Sequence, residues 1–285
     1  MVTAYLLLAP ATLLLAGVLA YPIGWELWTS FTNLSSRGEE RRFVGLANYR
    51  GMLAEPIFWR AVATTIVYFV VTTAAKLALG LGMALLLRRP SRLRPIVFLA
   101  IFLPWAYPGG VTVVAWYWML NPPLITAYSA LAGQLKYTVD AALGGGAYAF
   151  LSVMLFSVWR GGSFTAVFLL AGVNAIPSEL FEYAALETRT AWQRVRHVTL
   201  PLLRPFIALA IFLSVTTAFG DLANVWMLTG GRVIFPVVGT YAYWLGIRNG
   251  LLGEAAAWSL SLVPLLVITL VVLFRWFDAP REQPA

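Results

Sequence analysis

Apolar residues in this chain come in blocks far longer than a buried helix of a soluble domain requires, and the polar residues gather between them. Six blocks are long enough to cross a bilayer: Ala4 to Trp28, Ala61 to Leu87, Pro95 to Leu120, Ala147 to Val173, Pro205 to Leu228 and Ala255 to Phe274. A helix needs about 20 apolar residues to cover a hydrocarbon layer of ~30 Å. The pattern therefore predicts an all-α membrane protein with six transmembrane helices. The period-two alternation of a membrane barrel is absent from the sequence. Pro10, Pro104, Pro108 and Pro264 fall inside these spans and are expected to kink them without breaking them.

The longest polar interruption after the middle of the chain runs from Ser178 to Arg204. Pro177, Ser178 and Glu179 read as a helix start, with Ser178 placed to cap free amides and Glu179 and Glu182 near the positive helix end. Phe181, Ala184, Ala185 and Leu186 give that short helix a small apolar face. Trp192, Val195 and Val198 recur at helical spacing beyond it, and Pro201 and Pro205 are expected to end the run and open the next span. No glycine-serine linker or charged tail divides the sequence, so a single membrane domain over residues 1–285 is expected, with 178–204 as a cytosolic loop inside it.

Composition agrees with the pattern: 60% of residues are hydrophobic and 11% charged, with a mean hydropathy of +0.79. The net charge of +8 reads as topology here, not as affinity for nucleic acid. Arg88, Arg89, Arg92 and Arg94 crowd one short loop, and Arg189, Arg194, Arg196 and Arg204 the polar segment, so both face the cytosol. Arg275 and Arg281 follow the last span on the same side, which puts both termini in the cytosol. Arg37, Arg41, Arg42 and Arg50 in the first external loop run against this orientation; the arginine density of the short loops decides it. The absence of cysteine excludes disulfides and thiolate metal sites. The first apolar block lacks a basic leader and is too long for a signal peptide, so it is expected to remain as the first helix.

The polar segment resembles the coupling loop of binding-protein-dependent ABC importer permeases, whose pattern is Glu-Ala-Ala, three residues, Gly, nine residues, Ile, one residue, Leu-Pro. Glu182, Tyr183 and Ala184 stand for the first triplet, Thr188 for the glycine, Val198 for the isoleucine, and Leu200 and Pro201 for the end. Tyr183 and Thr188 depart from the pattern, and threonine counts against a tight turn at positive φ between two short helices. Gly45, Leu46, Asn48 and Tyr49 match the family's Gly-Leu-x-Asn-Tyr element before the second span. Phe219, Asp221 and then Thr229, Gly230 and Gly231 resemble its Phe-x-Asp and Thr-Gly-Gly-Pro elements, with Arg232 in place of the proline. Tyr241, Tyr243 and Gly246 resemble its entry into the last span. The likeness covers nearly the whole chain and is nearest the carbohydrate-uptake, maltose-type branch, although that branch's usual Asp-Gly-Ala is Glu187-Thr188-Arg189 here. The segment 121–146 has turn formers and a short apolar stretch, consistent with a lateral element on the outer side.

The resemblance implies the type I importer transmembrane fold and a bacterial or archaeal cytoplasmic membrane. It also implies a second permease subunit, two cytosolic ATPase subunits carrying ATP and Mg, and an external solute-binding protein. The chain has no phosphate loop with lysine, so it does not hydrolyse ATP itself and needs no cofactor of its own. Phe181, Glu182, Ala184, Ala185, Leu186, Thr188, Leu200 and Pro201 would couple to an ATPase, with Phe181 and Leu186 as the docking residues. Each could instead pack on this subunit's own helices.

In maltose-type permeases the sugar touches residues around a tryptophan eighteen positions before the coupling-loop proline. Here that is Trp159, before Pro177. By this registration Ser157, Trp159, Arg160, Gly161 and Phe164 would face the pathway from the fourth span, and Ser214, Ala218 and Asp221 from the fifth. Ser157 and Asp221 can hydrogen-bond hydroxyls, and Trp159 and Phe164 can stack on a sugar ring. Charges at membrane depth are costly, so Arg160 and Asp221 stand out as a substrate pair or an internal ion pair, while Lys76 could snorkel or line a gap.

No nucleophile with a base can be assembled from the sequence, because His197 lies in the polar segment, so membrane hydrolysis is remote. The expected function is a permease for a sugar, oligosaccharide or polyol. The alternatives are a permease for a polyamine, metal or phosphorylated solute, and a proton-coupled carrier titrating Asp221.

Overall fold

The computed structural model describes residues 2–38, 40–88, 90–120, 146–219, 221–229 and 235–278. Among these the architecture is helical, with β structure confined to isolated bridges at Thr32–Phe43 and Ser35–Leu251. The helices are α1 (Val2–Ser30), α2 (Ala47–Ala54), α3 (Pro56–Arg88), α4 (Arg94–Ala106), α5 (Gly109–Leu120), α6 (Gly146–Asn174), α7 (Ser178–Glu187), α8 (Ala191–Arg194), α9 (Leu200–Phe219), α10 (Leu222–Leu228), α11 (Val238–Tyr243), α12 (Leu252–Leu260) and α13 (Val263–Asp278). Five stretches are long and apolar enough to cross a membrane, and a bent pair raises the number to six.

That pair corrects one sequence expectation. The third span does not kink: it breaks at Tyr107 and Pro108, and α4 and α5 meet at 91°. Pro108 lacks an amide proton, and the residue before a proline is pushed out of the helical region, so Tyr107 is extended (φ −70°, ψ 144°). Pro264 likewise sits in the first turn of α13, where its missing donor costs nothing. Pro10 lies inside α1, as expected of a span that tolerates proline. The fifth span ends at Phe219, and Leu222–Leu228 forms a separate short helix.

The chain forms two compact units. The first comprises residues 1–63 and 236–265. Its core is Met52, Phe58, Ala61, Val238, Ala242, Leu245 and Trp258, with the Tyr241 ring tilted against Trp258 at 4.4 Å and Phe58 edge-on to it at 5.2 Å. Asn48 donates its amide to the carbonyls of Ser30 and Thr32 at 2.8 and 2.9 Å, and the Tyr49 hydroxyl meets Ser30 Oγ at 2.7 Å. The Gly-Leu-x-Asn-Tyr element thus satisfies carbonyls that the end of α1 leaves free. Gly45 turns the chain into it at φ +57°. Gly253 donates to Leu34 O at 3.0 Å, and a Cβ there would lie 2.0 Å from Thr32 O.

The second unit comprises residues 64–235 and 266–285. Its core is Ala84, Leu87, Leu169, Leu170, Val173, Leu203 and Ala210. Helix crossings rest on small residues: a Cβ on Gly80 would meet Thr165 at 2.7 Å, and one on Gly172 would meet Phe206 at 2.6 Å. In lipid, where water supplies no driving force between helices, such close approach is a main source of association. Leu7, Leu13, Val111, Leu151, Ile268 and Phe274 remain exposed, as apolar side chains facing lipid do.

The polar segment folds as a helical hairpin, with two differences from expectation. Ser178 is the first helical residue of α7 and makes no cap; Pro177 precedes the helix in extended conformation. The capping box lies later, where Thr190 accepts from Gln193 N and the Gln193 side chain accepts from Thr190 N. Pro201 and Pro205 do not end the run either. A π turn at Val195–Thr199 joins α8 to α9, and the apolar helix continues from Ala191 to Thr217. The wider turn shifts the ladder by one residue just where Pro201 has no donor to give.

Candidate functional site

Polar side chains converge on a cavity of about 240 Å³ inside the second unit. From α3 Lys76 lines the space; it ends a buried polar stripe of Thr65, Tyr68, Thr72 and Lys76 at intervals of three and four residues. In a span, polar groups so spaced form one stripe that must turn away from lipid. From α6 Ser157, Arg160, Gly161, Phe164 and Thr165 line the space, again at three- and four-residue steps. Ser214 and Thr217 of α9 and Asp221 and Asn224 at the start of α10 complete it.

Asp221 is the hub. Its Oδ2 accepts from Tyr68 Oη at 2.7 Å and Ser157 Oγ at 3.0 Å, and its Oδ1 accepts from the Asn224 side-chain amide. Although it precedes α10, the carboxylate does not cap that helix and turns into the cavity. Three donors stabilise the charge at a depth where an unsolvated carboxylate would be expensive. Thr73 Oγ1 and Ser214 Oγ pair at 3.1 Å nearby.

Of the two readings of Arg160, the internal ion pair with Asp221 does not form among the described residues. Arg160 reaches instead to the Tyr107 carbonyl, 3.4 Å from Nη2, at the broken corner between α4 and α5. The break frees that carbonyl from the helical ladder, and Gly109 leaves room for the guanidinium, which would lie 3.1 Å from a Cβ there. Lys76 does not snorkel: it is 4% exposed and its stem runs against Gly161, 2.6 Å from where a Cβ would be.

Of the residues expected to face a pathway, the structure gathers Ser157, Arg160, Gly161, Phe164, Ser214 and Asp221 around one space. Trp159 is elsewhere. It packs on Trp116, with ring centres 5.1 Å apart, and borders a separate apolar hollow with Leu79 and Ser163. The tryptophan's ring on this cavity is Trp105, tilted against Phe164 at 5.2 Å. The side chain of Ala218 lies outside the described residues, as do 121–145, Gly230 to Arg232, Arg89 and Arg281. Tyr68 and Asn224 were missed by sequence reasoning; the α3 stripe was the signal that could have found Tyr68.

A second candidate surface is the hairpin. Leu186 is 85% exposed, Tyr183 67% and Trp192 66%. Glu182, Ala185 and Pro201 are also exposed, Ala184 is buried, and Thr188 and Leu200 are half-buried. Phe181 turns back onto its own chain, with the Arg88 guanidinium 3.1 Å from its ring centre. Thr188 adopts φ −113° and ψ 135°, and its hydroxyl donates to Ala184 O at 2.5 Å. The turn is therefore made without positive φ, and threonine supplies a helix-ending hydrogen bond that glycine could not.

Comparison with known proteins gives a consistent picture. The family described as binding-protein-dependent transport system inner membrane component matches residues 76–279. The trehalose transport system permease protein SugA of Mycobacterium tuberculosis is 31% identical over 99% of this chain and 91% of its own length. The inner membrane ABC transporter permease protein YcjO of Escherichia coli is 33% identical over 95% of this chain and 92% of its own. A chain of a bacterial alginate ABC transporter, solved in complex with an alginate pentasaccharide-bound periplasmic protein, superposes with a TM-score of 0.72. It shares 18% identity and covers 96% of this chain and 92% of that one.

Proposed function

The chain belongs to the binding-protein-dependent transport system inner membrane components, and from that premise we propose that it forms one side of the translocation pathway for a sugar, oligosaccharide or related polyol in an ATP-driven importer. The names of its relatives support the solute class: trehalose for one, alginate for the matching structure. A second permease subunit completes the pathway, two cytosolic ATPase subunits carrying ATP and Mg drive it, and an external binding protein delivers the solute. Both termini lie in the cytosol, on the side of the hairpin. Binding protein and solute arrive at the outer face, closure of the nucleotide sandwich opens the outer gate, and hydrolysis resets the inward state.

The observation that carries this reading is the apolar edge of Tyr183, Leu186 and Trp192 on an otherwise polar hairpin. Tyr183 and Leu186 are so exposed outside every candidate span, with Trp192 at the very start of one; such side chains mark a docking face, and short helices continuous with α9 would transmit displacement into the bundle. Glu182, Ala185, Thr188 and Pro201 frame that edge, while Phe181, Ala184 and Leu200 hold the hairpin together.

The sequence contains no cysteine, so Leu186→Cys introduces a unique thiol. Crosslinking from it should capture an ATPase subunit in the assembled complex. Failure of every hairpin position to do so would refute coupling through this segment. Uptake into proteoliposomes that persists without ATP and collapses with the proton gradient would return the carrier reading, with Asp221 as its titrating group.

A further inference from the structure

The cavity has a donor surplus that no acceptor among the described residues consumes. Asp221 accepts hydrogen bonds from three neutral donors, Tyr68, Ser157 and Asn224. Lys76, 4% exposed and lining the same space, forms no ion pair and no side-chain hydrogen bond among the described residues. Arg160 has one long contact, to Tyr107 O, and its Nε is buried without a partner. Two cations therefore face a cavity that holds one carboxylate already hydrogen-bonded by neutral donors.

Burying an ammonium without a hydrogen-bond acceptor is among the costlier arrangements a membrane protein can adopt. Both cations are also given room: Lys76 lies along Gly161 and Arg160 along Gly109, and a Cβ at either glycine would press on the charged side chain, at 2.6 and 3.1 Å. The charge of Asp221 acts on Lys76 but balances only one of the two cations, so donors so accommodated await an acceptor from outside the chain. Neutral hydroxyls would leave the extra charge uncompensated, whereas a carboxylate accepts from an ammonium and a guanidinium in short, charge-assisted bonds.

We infer that the solute is a saccharide bearing an anionic group, a uronate-type carboxylate, and that Lys76 and Arg160 are the residues that select its charge. This rests on the importer reading and names its substrate class. Ser157 and Asn224 are placed for the hydroxyls, and Trp105 with Phe164 for the ring face.

The test uses the complete complex with its binding protein in proteoliposomes. ATP-dependent uptake is compared for glucuronate against glucose, galacturonate against galactose, and the corresponding uronate and neutral disaccharides. The acidic members should be taken up and the neutral ones should lag by at least about tenfold. Lys76→Met should lower uptake of the acidic solute at least about tenfold, mainly through KM, and Lys76→Arg should restore a large part of it. Gly161→Ala, which displaces Lys76 without removing a charge, should reproduce the defect. Uptake restricted to neutral sugars, or acidic uptake that Lys76→Met leaves intact, would overturn the inference while leaving the importer standing. Absence of ATP-driven uptake for every sugar in both sets would overturn the importer reading itself.

Discussion

Asp221 and Leu186 show how differently single residues matter in the two candidate surfaces. Asp221 gathers donors from three helices, so Asp221→Asn removes the charge and leaves Tyr68 and Ser157 competing for one weaker acceptor. Solute uptake should fall by about tenfold or more, with Tyr68→Phe costing less because two donors remain; initial rates of ATP-dependent uptake measure both. Leu186 touches little in its own chain. Leu186→Glu should therefore leave the melting temperature of the purified subunit within about 2 °C of wild type, yet uncouple solute-stimulated ATP hydrolysis by tenfold or more. Phe181→Ala should do the reverse, lowering stability by about 1 kcal/mol through loss of its half-buried ring and the Arg88 contact.

Among the elements, the devices that fix geometry are helix ends and close crossings. The end of α1 is held by Asn48, and α12 passes so near Thr32 that only glycine fits at 253. Gly253→Ala should destabilise this unit by about 3 kcal/mol, visible as a lowered thermal midpoint in detergent. Thr190→Ala, which removes the capping box of α8, should cost only about 1 kcal/mol. The hairpin would loosen without unfolding, and ATPase coupling would weaken more than stability does. The broken third span is the counterpart of these caps: the break at Tyr107 supplies the carbonyl that receives Arg160, so an irregularity in one helix positions a charge on another.

For the whole molecule, the proposed orientation rests on the distribution of arginine. Arg92 and Arg196 fall in the two basic loops, whereas Arg41 of the opposing basic cluster lies 4.8 Å from the Trp25 ring and Arg42 pairs with Glu40 at 3.0 Å. Under that orientation, the aromatic and carboxylate partners of Arg41 and Arg42 account for the basic cluster of the exceptional loop. Single cysteines at Arg92 and Arg42 should label from opposite faces of right-side-out vesicles, position 42 from outside and 92 only after permeabilisation. Labelling of both from the same face would contradict the assigned topology.

Much of this protein was written in its linear pattern. Five spans, the helical hairpin and the family follow from long apolar blocks, a fixed spacing between Glu182 and Pro201, and arginine placement, because lipid forces nearly every spanning segment to satisfy its own backbone. Periodicity could also place Ser157, Arg160, Gly161 and Phe164 on one face of α6. It could not say which face met which neighbour. Trp159 was drawn into the site by its position in the chain, yet its ring turned to Trp116; Arg160 and Asp221 matched in charge, yet each found other partners. Those choices were made by contacts between residues far apart in sequence, such as Tyr68 with Asp221 and Gly161 with Lys76, where shape and hydrogen-bond supply across helices outweigh any local preference.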